Sequence, residues 1–357
     1  MKRIDLLLLF TIIFLSLFGL LIIYDASSFI AFRDFGDKFH YLKEQSIWLL
    51  LGFGILSFFS FFDYHKFYIL SLPLILVAIL LLILVFIPGI GVSFLGARRW
   101  IDLGFFLVQP AEFVKLALVI YLSAWFSKKE KGRLLAFLLL MGLVFSLVLL
   151  EPDMGTAGII LVSGLVVYFL SGGSILTFLF LIPLISIIGF ILIKISPYRS
   201  ARLATFLNPN QAIETSSYHV RQILIALGMG GATGVGIGNS LQKYAYLPEN
   251  TTDSIFAIIA EEFGFIGSAF LIFVLMFLVW RGFLIAQRAK DNFGKLLAGG
   301  IITFLSVQMI INLGAQTMLL PLTGVPLPFI SYGGSALIID LAAIGILLNI
   351  SRQVAAN

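Results

Sequence analysis

The sequence predicts an all-α integral membrane protein with ten transmembrane helices. Both termini are expected in the cytoplasm, with a large extracytoplasmic loop between spans seven and eight and a single domain over residues 1–357. Three observations carry this. First, 60% of the 357 residues are hydrophobic and 11% are charged, against about 45–50% and about 25% in soluble domains, and the mean hydropathy is +1.09. Second, apolar runs near 20 residues recur along the chain, the length that crosses a hydrocarbon core of about 30 Å. They do not alternate in polarity as barrel strands do, so helices are the spanning element. Third, Lys and Arg fall unevenly between the loops.

The spans are expected near 5–24, 46–62, 67–87, 110–126, 134–150, 156–170, 175–194, 254–280, 297–319 and 335–351. The first opens at MKRIDLLLLF. Its apolar stretch is too long for a signal-peptide core and reads as a retained span. With a cytoplasmic N-terminus, the inside segments carry Lys2, Arg3, Lys66, Lys128, Lys129, Lys131, Arg133, Arg281, Arg288, Lys290, Lys295 and Arg352. Those are 12 of the 23 Lys and Arg, mostly in short loops, as the positive-inside rule requires. The short outside loops carry Arg33, Lys38, Lys43, Arg98 and Arg99.

The segment from about 195 to 253 is the longest outside the spans, and loops of that size are usually functional or disordered. Within it, YHVRQILIALGMGG (218–231) places Val220, Ile223, Leu224 and Leu227 on one helical face, opposite Arg221 and Gln222. That pattern suits an amphipathic helix on the membrane surface, or one packed on the end of the bundle. GGATGVGIGNS follows. It lacks the Gly-Lys-Ser/Thr of a P-loop and no strand precedes it, so it reads as a flexible turn.

Cysteine is absent, and His40, His65 and His219 are scattered, which excludes thiolate sites and argues against zinc. The net charge of +5 reflects loop cations and points to no nucleic-acid partner.

Ionisable groups in apolar surroundings are costly and mark candidate sites. Glu112 and Lys115 are three apart on one helix face, either a functional pair or a self-neutralising one. Asp340 lies in the last span, and Glu261 with Glu262 in the eighth. Arg98 and Arg99 follow the third span, and Glu151 and Asp153 end the fifth. PLTGVPLPFISYGGS (321–335) brings Ser331, Tyr332 and Ser335 in a Pro- and Gly-rich outer loop. Four acids (Glu249, Asp253, Glu261 and Glu262) fall within fourteen positions of YLPENTTDSIFAIIAEEFGFIG. TTDS before a helical run is also an N-cap signature, and a helix N-terminus favours an ionised Asp253, so capping and catalysis are compatible readings.

Four stretches, RRWIDLGFFLVQPAEFVK, EPDMGTA, GVGIGNSLQKYAYLPENTTDSIFAIIAEEFGFIG and PLTGVPLPFISYGGS, resemble the motifs of the SEDS proteins (shape, elongation, division and sporulation), the RodA/FtsW family. The resemblance covers nearly the whole chain. Departures are ENTT where the family favours a sequence closer to EAHT, and Ala111 where serine is common. The resemblance implies a peptidoglycan glycosyltransferase in the cytoplasmic (inner) membrane that polymerises lipid II on the outer face. It implies a class B penicillin-binding protein as transpeptidase partner, docked near spans eight and nine. It also implies that Asp253 is essential and that Glu112 and Lys115 line a central cavity.

On that basis Asp253 is expected to be the general base or the ligand of a divalent cation (Mg or Mn), with Glu112 and Lys115 completing the catalytic set. Arg98, Arg99, Asp153, Glu261, Ser331, Tyr332 and Ser335 are expected to bind substrate, with Lys115 ahead of Arg98 and Arg99 at the pyrophosphate. The short N-terminal tail leans towards the elongation type. Two other readings share the composition: a lipid II transporter (flippase), which often carries inverted repeats or broken helices, and a non-enzymatic scaffold of the cell-wall complex.

Overall fold

The computed structural model describes residues 4–94, 97–102, 104, 106–128, 132–207, 215–244 and 246–354. Lys2, Arg3, Lys129 and Lys131 of the charge count lie outside the described residues. Helix occupies every expected span: α1 (Leu6–Phe35), α2 (His40–Phe61), α3 (Lys66–Leu84), α4 (Pro110–Ser127), α5 (Leu134–Leu150), α6 (Met154–Leu170), α7 (Ile175–Ile195), α10 (Ile255–Arg288), α11 (Asn292–Gln316) and α12 (Gly334–Val354), with α8 (Pro197–Leu207) and α9 (Thr215–Gly230) in the long loop. Eight of these are long and apolar enough to cross a membrane, while α5 and α6 are apolar but shorter.

Local chemistry explains the boundaries. Asp5 caps α1 by accepting from the Leu8 amide at 3.0 Å, and Gly36 ends that helix in the left-handed conformation, the usual C-terminal stop. Pro110 opens α4 at a position whose N–H has no intrahelical partner. Asp153 and Asp291 cap α6 and α11.

The helices divide by burial. Within their apolar windows 78% of α4, 67% of α11 and 78% of α12 is buried, against 6% of α7. So α4, α11 and α12 form the centre, and α7 presents nearly its whole surface outward. Two ends are distinct. At one, Asp5 pairs with Arg281, the Asp5 amide donates to Ser351, Tyr64 donates to Asp291 and Gln353 reaches Asp63. Those contacts gather the start of α1, the α2–α3 and α10–α11 turns and the end of α12. The other end gathers residues near 44, 99, 153, 251 and 332.

Three features go beyond the sequence reading, the second by deciding between its two placements of 218–231. A small antiparallel sheet, β1 (Gly91–Phe94), β2 (Ala97–Asp102) and β3 (Leu107–Val108), lies between α3 and α4. Its strands are too short for alternation to register. Second, α9 packs on the bundle instead of lying free. Val220, Ile223 and Ala226 are buried, and Ile223 and Ala226 cluster with Ala257 and Ile258 of α10, while Leu224 is exposed.

Third, the eighth span is broken. Gly264 has φ 64° and ψ −165° inside α10, a conformation essentially confined to glycine. The carbonyls freed there are not left bare. Val235 N–H donates to Glu261 O at 3.0 Å and Gly236 N–H to Glu262 O at 3.1 Å, while Phe265 N–H reaches Gly231 O at 2.9 Å. The Gly-rich stretch is therefore a fitted strap across the break. A Cβ at Gly264 would meet the Gly234 amide and stand 2.7 Å from Ala232 O. Gly264→Ala is expected to cost about 2 kcal/mol or more, read as a lowered melting temperature in detergent. An unchanged melt would show that the strap yields.

Candidate functional site

The turn 249–254 brings Asp253 to the N-terminal end of α10. The helix cap is Ser254, without a side-chain capping bond, so Asp253 is not acting as the cap. The Thr252 hydroxyl lies between Glu249 Oε2 at 2.9 Å and Asp253 Oδ1 at 3.3 Å. Loss of hydration and the Glu249 charge push the Asp253 carboxyl up to about 7, against the opposing influence of Arg202. His219 of α9 stands beside it, its Nε2 at 2.6 Å from Ser254 Oγ. Burial, and secondarily Arg202, lower His219 to about 4, so it is neutral near pH 7.

Behind Asp253 runs a ladder of amides on one face of α11. Gln316 Oε1 accepts from the Ala257 amide at 2.7 Å, and its Nε2 donates to Asn312 Oδ1 at 2.7 Å. Asn312 Nδ2 donates to Asp253 O at 3.0 Å and to Val325 O at 2.8 Å. One turn further, Gln308 donates to Pro326 O at 3.1 Å and accepts from Lys115 Nζ at 2.6 Å. Lys115 in turn pairs with Glu112 at 2.7 Å, and the two side chains are 1% and 3% exposed. Asp340 of α12 lies close enough to feel both charges, and its carboxylate oxygens are buried without hydrogen-bond partners. The Glu112–Lys115 pair and the backbone of Asp253 are thus both tied to the Val325–Pro326 backbone, the one through Gln308 and the other through Asn312.

The outer loop 321–335 is fixed to the same turn. Ser331 Oγ donates to Thr252 O at 2.5 Å and accepts from the Leu327 amide at 2.8 Å. Tyr332 N–H donates to Thr251 O at 2.8 Å, and its hydroxyl donates to Glu44 at 2.5 Å. Ser335 bridges Gln109 N and Leu107 O, each at 3.3 Å. These three side chains are engaged in holding loops together. Asp153 is likewise engaged with the Thr156 amide and hydroxyl and with Gln109. Arg98 is exposed on β2, whereas Arg99 turns inward and donates to Glu151 O at 2.9 Å and Pro152 O at 2.5 Å.

Glu261 does not line a cavity under Asp253. It is fully buried, accepts from the Leu241 amide at 3.1 Å and takes the Ser240 hydroxyl. Glu262 accepts from the Gly238 and Ser240 amides and from Lys243 Nζ, which also pairs with Asp25 of α1. The expectation of Glu261 as a substrate ligand gives way to a clamp on the Gly-rich strap.

Sequence reasoning missed Gln308, Asn312 and Gln316, though their four-residue spacing in SVQMIINLGAQ is a readable polar stripe. It also missed Glu44, His219, Arg199 and Arg202, which no local pattern ties to the site. Among the described residues no group of three or more His, Cys, Asp or Glu could hold a metal ion.

A family model for FtsW, RodA and SpoVE, described as cell cycle protein, matches residues 5–356. Stage V sporulation protein E of Bacillus subtilis (strain 168) is 40% identical over 355 residues, covering 98% of this chain and 97% of that protein. The probable peptidoglycan glycosyltransferase FtsW of Coxiella burnetii is 42% identical over 344 residues, covering 94% and 92%. Among solved structures, a chain from work on structural coordination of polymerization and crosslinking by a peptidoglycan synthase complex superposes with a TM-score of 0.82 at 28% identity, over 99% of both chains. Thermus thermophilus rod shape determining protein RodA superposes at 0.72 with 26% identity, over 98% and 97%.

Proposed function

The chain belongs to the FtsW/RodA/SpoVE family of cell cycle proteins, and from that premise we propose that it is a peptidoglycan glycosyltransferase polymerising lipid II. The observation that carries the reading is Asp253, a carboxyl tuned to about 7 at the end of the bundle where the Arg99 and 321–335 loops converge. Relatives named as probable peptidoglycan glycosyltransferases add support. We place this end on the outer face of the cytoplasmic membrane, with ten spans (α1–α7 and α10–α12), both termini inside and a single domain.

In the reaction, the 4-hydroxyl of one sugar attacks the anomeric carbon of another. The new C–O bond forms as the bond to the pyrophosphate oxygen breaks. Polyprenyl pyrophosphate leaves with the electron pair, and Asp253 takes the hydroxyl proton. A carboxylate with this tuning is ionised in a useful fraction at neutral pH and still basic enough to accept a proton. Glu112 and Lys115 act as positioning residues through Gln308 and Asn312, and Ser331 and Tyr332 hold the floor beneath Asp253. Arg99 faces the leaving group, while exposed Arg98 contributes little.

Mg²⁺ binds through one or two carboxylates plus substrate phosphates, and Asp253 with Glu249, linked by the Thr252 hydroxyl, meets that requirement. This is the alternative to the base role, since a cation held there would keep Asp253 ionised; when bound, it would neutralise charge on the departing phosphates. A class B penicillin-binding protein is the expected partner. The row of exposed Phe265, Phe270, Phe273 and Trp280 on α10 suits a single transmembrane helix.

The break at Gly264 is the one feature that favours a transporter, since discontinuous helices build transport sites. Here, however, the freed carbonyls of Glu261 and Glu262 are taken by the strap, so the break offers them to no cargo.

The pH profile of lipid II polymerisation tests the role of Asp253. The ionised form is the base, and its folded value is raised from 3.8 to about 7. Thus kcat/KM is expected to rise about tenfold per pH unit below about 7 and to level off above it. A profile flat down to about pH 5 would remove Asp253 as the base.

A further inference from the structure

Against the 320–323 segment lies a second feature. A cavity of about 260 Å³ is lined by Arg99, Arg199 and Arg202 together with apolar residues including Ile193, Leu203 and Ile311. The three arginines come from β2 and α8: Arg99 donates to the Glu151 and Pro152 carbonyls and Arg199 to the Leu149 carbonyl, while the contacts of Arg202 include the Leu322 carbonyl. Neither Arg99 nor Arg199 has a carboxylate ion-pair partner among the described residues. The Thr323 hydroxyl, on a residue in the lining, is buried without a hydrogen-bond partner. Three cations around one small space, with a spare hydroxyl, are a site for a multiply charged anion.

The apolar half says what kind of anion. Ile193 belongs to α7, whose only buried residue is Leu181, and Ile311 of α11 is half-buried beside exposed Ile310. The cavity therefore borders the surface that faces lipid. A soluble phosphate would gain nothing from that wall. The volume is below that of sites holding a whole drug-sized ligand, about 300–1,000 Å³, so it fits a headgroup and the start of a chain rather than a disaccharide-peptide. Gly324, directly after Thr323, stands against the Asp253 carboxylate, where an added Cβ would lie 3.7 Å from Oδ2. Lys115, by contrast, is committed to Glu112 and Gln308 and is buried.

We infer that this cavity binds the pyrophosphate and first isoprenoid unit of a polyprenyl pyrophosphate lipid, with Arg199 and Arg202 of α8 as phosphate ligands beside Arg99. The assignment of that lipid as the donor's leaving group rests on the polymerase reading above. Arg202, which lines the cavity and acts electrostatically on Asp253, places the leaving group within reach of the base.

The test uses the full-length chain in detergent and three probes: farnesyl pyrophosphate, farnesol and inorganic pyrophosphate. Farnesyl pyrophosphate is expected to bind at least about tenfold more tightly than either of the others. Arg199→Gln and Arg202→Gln are each expected to weaken it by about tenfold, the size of one charge-assisted hydrogen bond, and to raise KM for lipid II. Arg199→Lys keeps the charge but loses the fork, and a loss of about threefold is expected; it carries the test if a glutamine variant melts early. Inorganic pyrophosphate binding as tightly as the prenylated probe would overturn the lipid assignment. Unchanged farnesyl pyrophosphate affinity in all three variants would overturn the site while leaving the polymerase reading in place. Tight, arginine-dependent binding by a wild-type chain that forms no glycan would keep the site and sink the polymerase.

Discussion

Lys115→Ala is expected to destabilise the protein by about 3–5 kcal/mol and to abolish polymerisation, while Arg98→Ala leaves both nearly unchanged. The asymmetry follows from surroundings. Lys115 Nζ sits 2.7 Å from Glu112 and 2.6 Å from Gln308, with its side chain 1% exposed, and Asp340 lies nearby with no hydrogen-bond partner of its own. Removing the one cation leaves two buried acids facing each other without compensation. Arg98 is exposed on β2, where charge changes are usually worth little. The double variant Glu112→Gln/Lys115→Met removes one of the two uncompensated acids, leaving Asp340, and is expected to recover part of the stability, since buried ion pairs rarely outperform apolar or neutral replacements. It is not expected to recover activity, because the Lys115 contact that holds Gln308 in place is gone. Thermal melts of the four proteins, with polymerisation assayed on each, decide this. Full activity in the double variant would reduce the pair to a folding element.

Asp253→Asn is expected to lower polymerisation by about 10²–10⁴-fold without lowering stability. The sign comes from linkage. Its folded value is raised from 3.8 to about 7, so the native state holds this proton more tightly than the unfolded chain. What the carboxyl contributes to stability is present in full below about 4 and is lost as pH rises through about 7. Above that the ionised group is a net cost. Asparagine removes the cost, so the variant should melt at or above the wild-type temperature at about pH 8, and the difference should shrink towards pH 4. A variant that is inactive and also melts far below wild type at pH 8 would indicate a structural role.

Much of the architecture was legible in the sequence, because apolar length alone positions spans. The Glu112–Lys115 pair was legible too, since residues three apart on a helix face must meet. The break at Gly264 was not. Nothing local distinguishes GFIG inside an apolar run from an ordinary helical glycine, and the partner that repays the break is the strap near 231–236, distant in sequence. For the same reason Glu261 and Glu262 read as cavity residues when they clamp that strap. Ser331, Tyr332, Ser335 and Asp153 read as substrate ligands; Asp153 instead caps α6 through Thr156 nearby, while the partners of the other three lie on distant segments, so their loop-holding geometry was invisible. Arg199, Arg202 and His219 sit in the long loop, where the one readable periodicity is the apolar face of 218–231, and only the packing of α8 and α9 brings Arg202 and His219 near Asp253.

The central claim is that this chain joins sugars. The most direct measurement is to purify it with its cognate class B transpeptidase, supply labelled lipid II at about pH 8, and resolve the products by length. The account predicts a ladder of glycan strands together with released polyprenyl pyrophosphate. Lipid II recovered intact by the same preparation, but carried across the membrane of sealed vesicles, would contradict it and leave a transporter in its place.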